Sequence, residues 1–190
     1  MAKREIKVWE KLESKNIFDR QWLNINKCSY LLPNGHKALD YYILNYNDWI
    51  SVIAITQEGK FVMEKQYRPG IGKVSLEICG GVIDYTDHSP EEAARRELSE
   101  ETGYEGGKWS HFDTLCPNAG TQTNVVHLFI AEGVELRSQE QQEDTEDIST
   151  FLMDKQEVKE ALMKGEIIQA IHAAALWKYF YLEKQAQNTL

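Results

Sequence analysis

Apolar and polar positions along the front of the chain follow the period of strands rather than helices. Trp9 to Leu44 is rich in aromatic and β-branched residues. Pro33-Asn34-Gly35 interrupts it and Asn45-Tyr46-Asn47-Asp48 closes it, so it predicts short antiparallel strands. A hairpin follows: the apolar run Trp49 to Thr56, the turn Gln57-Glu58-Gly59-Lys60, and a return strand from Phe61 to Arg68. Pro69-Gly70-Ile71-Gly72 ends that strand, and Val74 to Cys79 predicts another, running into Gly80-Gly81.

The period then changes. Ser89-Pro90-Glu91-Glu92 places an N-cap serine, a proline at the first helical position and acid in the first turn. A helix is expected from there to about Thr102, stopping at Gly103, the residue type best suited to a left-handed C-cap. Trp109 to Leu115, Val125 to Ala131 and Ile148 to Met153 predict strands, and the acidic stretch Ser138 to Asp147 predicts a loop. Two helices are expected at the end, about Lys155 to Lys164 and Ile167 to Lys184, separated by Gly165. Their aromatic residues, Trp177 and Tyr179 to Tyr181, read as core. The mixture is an α+β protein, with an N-terminal β segment (1–47) ahead of a main domain (48–190).

Composition narrows the picture. With 42% hydrophobic and 27% charged residues over 190 positions, the chain reads as a soluble globular protein. There is no long uninterrupted apolar run and no apolar leader at the start. The three cysteines, Cys28, Cys79 and Cys116, are far apart and odd in number, which predicts reduced thiols in a cytoplasmic setting. A formal charge of −9 without a basic stripe argues against nucleic-acid binding. An acidic protein handling an anionic substrate needs arginine or a metal at its site.

The candidate chemistry lies between Gly81 and Tyr104. On a helix, Glu100 and Glu101 are the i+3 and i+4 neighbours of Glu97. Three carboxylates on one face repel one another, and a hard dication such as Mg2+ offsets the repulsion. Ala93 and Ala94, one turn earlier, leave room for close packing. Gly80-Gly81 allows a tight backbone approach and can aim a carbonyl oxygen at the same ion. Arg96, beside Glu97 and four residues before Glu100, is placed to fix a carboxylate rotamer. Taken alone, the three glutamates also fit an ordinary solvated helix face.

Arg96-Glu97-Leu98-Ser99-Glu100-Glu101-Thr102-Gly103-Tyr104 matches R-E-U-x-E-E-x-G-U, where U is bulky and apolar or aromatic, and so resembles the Nudix hydrolase family. The full family pattern is G-x5-E-x7-R-E-U-x-E-E-x-G-U. Counting back from Arg96 reaches His88 where a glutamate belongs, and counting forward from Gly81 reaches Asp87, so the loop is one residue longer than usual. Asp87 is the candidate substitute, and His88 reads as a loop residue. Gln66-Tyr67-Arg68, Leu76-Glu77 before the glycines, and Gly165-Glu166-Ile167 resemble the ADP-ribose and ADP-sugar pyrophosphatase branch.

The resemblance implies an α/β/α sandwich with a mixed sheet. It also implies hydrolysis of the pyrophosphate in a nucleoside diphosphate sugar, giving a nucleoside monophosphate and a sugar phosphate. Mg2+ is the implied cofactor, with Mn2+ able to substitute. Glu97, Glu101 and Glu100 are then the metal ligands, joined by the Gly80 carbonyl, and Arg68 contacts the substrate phosphates. Glu77 binds substrate or buttresses the loop. Glu146, with Glu143 second, orients the attacking water. Phe18 and Trp22 are candidates to stack on the base, with core packing as the alternative. The branch also implies a homodimer that exchanges its front segments. Asn118-Ala119-Gly120 and Asn124 stand where the branch commonly has Ser-Pro-Gly and a glutamate, which leaves base and sugar open. Two alternatives remain: another diphosphate substrate (a nucleoside triphosphate, dinucleoside polyphosphate or coenzyme A), or a non-catalytic nucleotide-binding module.

Overall fold

The structure, a computed structural model, describes residues 5–21, 23–139, 141 and 147–187. The chain divides into two compact units, Met1–Asn47 with Asn118–Asn124, and Asp48–Pro117 with Val125–Leu190. The short Asn118–Asn124 segment therefore goes with the front of the chain.

The first unit is an antiparallel sheet of β1 (Glu10–Arg20), β2 (Leu23–Leu31) and β3 (Lys37–Asn45) in sequential order. Between β2 and β3 the chain turns through Pro33-Asn34-Gly35, with Gly35 at positive φ. The Asn118–Asn124 segment is tied to this sheet: Leu44 N–H donates to the Thr121 carbonyl at 2.8 Å, and the Tyr41 hydroxyl donates to the Gly120 carbonyl at 2.8 Å. Trp9, Tyr30 and Tyr41 meet edge to face, with centroids 5.7–6.3 Å apart.

The second unit is built on seven strands. They are β4 (Trp49–Thr56), β5 (Phe61–Arg68), β6 (Lys73–Glu77), β7 (Gly80–Val82), β8 (Tyr104–Leu115), β9 (Val126–Leu136) and β10 (Ile148–Met153). The main order is β10-β5-β4-β9-β8, with β6 beside β5 and β7 beside β4. β4 and β9 run parallel and the other pairs antiparallel, so the sheet is mixed, as expected. The strand predicted from Val74 to Cys79 ends early, and a further strand starts at the glycine pair that follows it. β6 ends at Glu77, the chain crosses at the buried pair Ile78-Cys79, and β7 joins a different neighbour.

Period-two alternation on β4 sorts its side chains between the two sheet faces. Ile50, Val52 and Ala54 pack with Val62 of β5 and with helix α1 (Pro90–Thr102), through Ala93, Ala94 and Leu98. Ile53 and Ile55 pack on the opposite face with α2 (Lys155–Lys164) and α3 (Ala170–Gln187), through Val158, Leu162, Leu176 and Phe180. The result is the α/β/α sandwich. Burying one side chain such as Leu98 completely contributes about 2–3 kcal/mol.

α1 starts and stops as its sequence requires. Ser89 caps it by accepting from Glu92 N–H, Pro90 opens it, and Gly103 closes it with φ 71°. α3 begins at Ala170, later than the expected Ile167, which is buried ahead of the helix. One sequence expectation fails here. Trp177 and Tyr181 are not core: they are 48% and 61% exposed, while their neighbours Leu176 and Phe180 are buried. The pairs 176/180 and 177/181 each share a face, and these faces lie about 100° apart around the helix. Only the first points at the sheet.

Candidate active site

The three glutamates of α1 form a graded face. The Glu101 residue is 5% exposed, whereas the side chains of Glu97 and Glu100 are 12% and 44% exposed. Two of them share one guanidinium. Arg96 Nη1 donates to Glu100 Oε2 at 2.8 Å, and Arg96 Nη2 donates to Glu97 Oε1 at 3.1 Å and to the Val82 carbonyl at 3.2 Å.

Arg96 is itself clamped by the loop before the helix. Its Nε and Nη2 donate to the two Asp87 oxygens at 3.1 and 3.0 Å, and the Asp87 side chain is 4% exposed. Asp87 also accepts from Asp84 N–H at 2.8 Å. The Arg96 ion pair, set against the cost of burial, holds the Asp87 carboxyl below the usual carboxylate range. Asp87 raises the Arg96 pKa above its ordinary value in return. His88, the alternative occupant, is exposed and contributes a backbone N–H to Glu92.

The glycine pair divides its duties. A methyl group at Gly81 would overlap the Glu97 carboxylate, so only glycine lets that carboxylate lie against the loop backbone. A methyl at Gly80 would meet the Ile50 carbonyl at 3.1 Å and His172 Nε2 at 3.2 Å. The preceding Cys79 carbonyl accepts from Val52 N–H at 2.9 Å and from the Ser51 hydroxyl at 3.2 Å, which locks the crossing between β6 and β7 to β4. A cradle shaped to a carboxylate, and oxygen donors at Glu97, Glu100 and Glu101, suit a hard divalent cation.

Beside this face stands a buried ion pair. Arg68 Nε and Nη2 donate to Glu77 Oε1 and Oε2 at 3.0 and 2.6 Å. The Glu77 side chain is 2% exposed and that of Arg68 is 39% exposed, so the guanidinium keeps one side open. Burial opposes the charge on Glu77, but the Arg68 hydrogen bonds outweigh it and leave the carboxyl below its ordinary value.

A model of the NUDIX domain matches residues 46–173. The chain belongs to the NUDIX family. Among its relatives is the ADP-ribose pyrophosphatase of Bacillus subtilis (strain 168), 27% identical over 177 residues that cover 93% of this chain and 94% of the relative. The ADP-sugar pyrophosphatase of Mus musculus is 31% identical over 123 residues, 59% of this chain and 56% of that one. A crystal structure of an ADP compounds hydrolase shares the fold, with a TM-score of 0.83 and 17% identity over 96% of this chain and 98% of its own.

The remaining expected residues of this NUDIX chain fall in different places. Phe18, on β1, is 43% exposed, with the Arg20 guanidinium carbon 5.5 Å from its ring centroid, so it is not core within its unit. Asn124 is 1% exposed and ends the Asn118–Asn124 segment. Trp22, Glu143 and Glu146 lie outside the described residues.

Two site residues escaped the sequence reading. His172 of α3 is 5% exposed, and its Nδ1 is 3.6 Å from Glu77 Oε2. Burial brings its pKa down to about 4, so the ring is neutral near pH 7. Glu64 of β5 is 5% exposed, within the field of Glu101, Glu77 and Glu97. Burial first, and those carboxylates next, raise its pKa well above the usual range. The signal for Glu64 was available: it sits two residues after Val62, which faces α1, so the strand period turns it to the same face.

Proposed function

We propose that the chain is a divalent-metal-dependent hydrolase of ADP-linked sugars, cleaving the pyrophosphate to AMP and a sugar phosphate. The observation that carries this reading is the α1 face, where Glu97 lies against Gly81 and both Glu97 and Glu100 are held by the Asp87-clamped Arg96. Such a preorganised cluster of oxygen donors has little value to folding alone, because it concentrates like charge. The printed activities of the two pyrophosphatase relatives supply the substrate class.

Glu97, Glu100 and Glu101, with the Gly80 carbonyl, are the residues that would hold Mg2+, or Mn2+ in its place. A bound cation there supplies charge neutralisation to the diphosphate and acidifies a water. Arg68, kept charged and oriented by Glu77, pairs with a phosphate through its open side. Glu77 thus buttresses rather than meets the substrate, as its burial requires. Glu146, with Glu143 second, is the proposed residue for orienting the attacking water. Phe18 and Trp22 are the proposed stacking surfaces for the base, and Asn124 the proposed reader of the substrate.

Two coarser inferences accompany this. Every residue of β1 is exposed, including the large apolar side chains Leu12, Ile17 and Phe18, and β1 lies at the edge of its sheet. A long exposed edge with apolar side chains favours a partner, and a second copy of the chain is the proposed one. Cys28, Cys79 and Cys116 are not joined in a disulfide, which accords with a reducing cytoplasm.

The test is turnover. With Mg2+, purified protein should release AMP from ADP-ribose or ADP-glucose and lose that activity in EDTA. GDP-mannose, UDP-glucose and nucleoside triphosphates serve as competitors. Glu101→Gln should cut kcat at least about a hundredfold while the far-UV circular dichroism stays native. Metal-independent release, or normal kcat in that variant, would overturn the reading.

A further inference from the structure

Beneath the α1 face lies a second group of donors, of which the proposed site uses only Glu101. A carboxylate oxygen of Glu64, the Cys79 sulfur and a carboxylate oxygen of Glu101 all lie within 4.8 Å of one another. They come from β5, the β6–β7 crossing and α1, and all three residues are buried, at 5%, 1% and 5% exposure. Atoms bound to one divalent ion at about 2.0–2.3 Å lie no more than about 4.6 Å apart, so small side-chain adjustments bring the three onto a common centre.

Glu64 points to a ligand independently of that clustering. Its Oε1 is buried and has no hydrogen-bond partner. Leaving a buried carboxyl oxygen unsatisfied forfeits its hydration without replacement, and a purely structural strand position would carry an apolar residue here. Arg68 acts on Glu64 electrostatically, but its Nε and Nη2 are given to Glu77. The Cys79 thiol lies beside Glu101, in a setting where burial and the two carboxylates oppose a free thiolate. A metal removes that obstacle by replacing the thiol proton, which leaves to solvent.

We infer that Glu64, Cys79 and Glu101 form an inner binding position for a borderline-soft divalent cation of the Co2+ or Zn2+ class. Two carboxylates and a thiolate favour such ions over Mg2+, which prefers an all-oxygen, water-rich shell. The inference rests on the proposed metal-dependent reading in that Glu101 is shared between the inner position and the outer face of α1.

Co2+ titration of the full-length protein, without nucleotide, tests it. Wild type should develop a sulfur-to-cobalt charge-transfer band that Cys79→Ser abolishes. Glu64→Gln should weaken Co2+ binding at least about tenfold, the scale seen when even outer-shell support of a metal is removed. Glutamine reproduces a neutral carboxylic acid, so an unchanged titration in Glu64→Gln means Glu64 is merely protonated there and overturns the inference. Absence of the band in wild type overturns it as well. Far-UV circular dichroism in EDTA checks that both variants fold. Glu97→Gln separates the two claims: it should abolish hydrolysis and keep the band. Loss of hydrolysis with no band in wild type sinks the inner position alone. Intact hydrolysis in Glu97→Gln sinks the α1-face assignment of the proposed function alone.

Discussion

Asp87 shows how one residue keeps a set of contacts in place when the spacing around it changes. The loop before α1 is one position longer than the family pattern, yet its carboxylate reaches Arg96 with both oxygens. A shorter side chain in a longer loop preserves the contact. Asp87→Asn removes the charge that clamps Arg96, and Arg96 in turn fixes Glu97 and Glu100. Its expected effect is indirect: metal affinity should fall about tenfold or more, seen as a rise in the Mg2+ concentration needed for half-maximal rate. His88→Ala should leave that concentration unchanged, because the exposed His88 contributes its backbone to Glu92. The reverse result would give the clamp to His88. Asp87 and His88 could not be separated by counting, because the count from Gly81 and the count from Arg96 disagree. A distance settles what spacing left open.

At the scale of elements, the strand-loop-helix unit from β7 to α1 was legible because each of its signals is local. Ser89, Pro90 and Gly103 mark the helix by capping chemistry within a few residues of themselves. His172 and the split between β6 and β7 were not legible, because each depends on which strand or helix lies alongside, whereas for Glu64 the strand period offered the face but not the carboxylates that surround it. The same distinction separates the glycines. Gly81→Ala places a methyl in the space of the Glu97 carboxylate and should remove most activity with little loss of stability, since Glu97 can swing outward. Gly80→Ala presses on the Ile50 backbone carbonyl and the buried His172 ring, which cannot yield so easily, and should lower the melting temperature as well. Ser89→Ala tests the helix itself: loss of the cap should cost about 1 kcal/mol in a urea melt. Equal stability losses in the two glycine variants would show that Glu97 is packed as tightly as the core.

Across the whole molecule, His172 joins α3 on one face of the sheet to the Glu77 and Gly80 backbone region that borders α1 on the other. Its titration therefore reports on the sandwich as a unit. Burial brings the folded pKa down to about 4, against an ordinary value of about 6.5 in the unfolded chain. Between those values the unfolded state holds the extra proton, so stability rises with pH across the interval. It is fully present above about pH 6.5 and is lost as pH falls toward about 4, by up to about 3 kcal/mol. Asp87, whose folded pKa is also depressed, adds loss in the same direction in the carboxylate range below that. Glu64, whose folded pKa is raised, contributes with the opposite sign over this interval, so the His172 contribution is read from urea melts in EDTA as the change in the pH 7.5 minus pH 5 stability difference between wild type and variant. His172→Gln removes the imidazole while keeping a polar side chain, and should lower that difference by about 2 kcal/mol. A pH dependence that persists unchanged in His172→Gln would mean that other groups carry it and that His172 is as readily protonated in the folded chain as in the unfolded one.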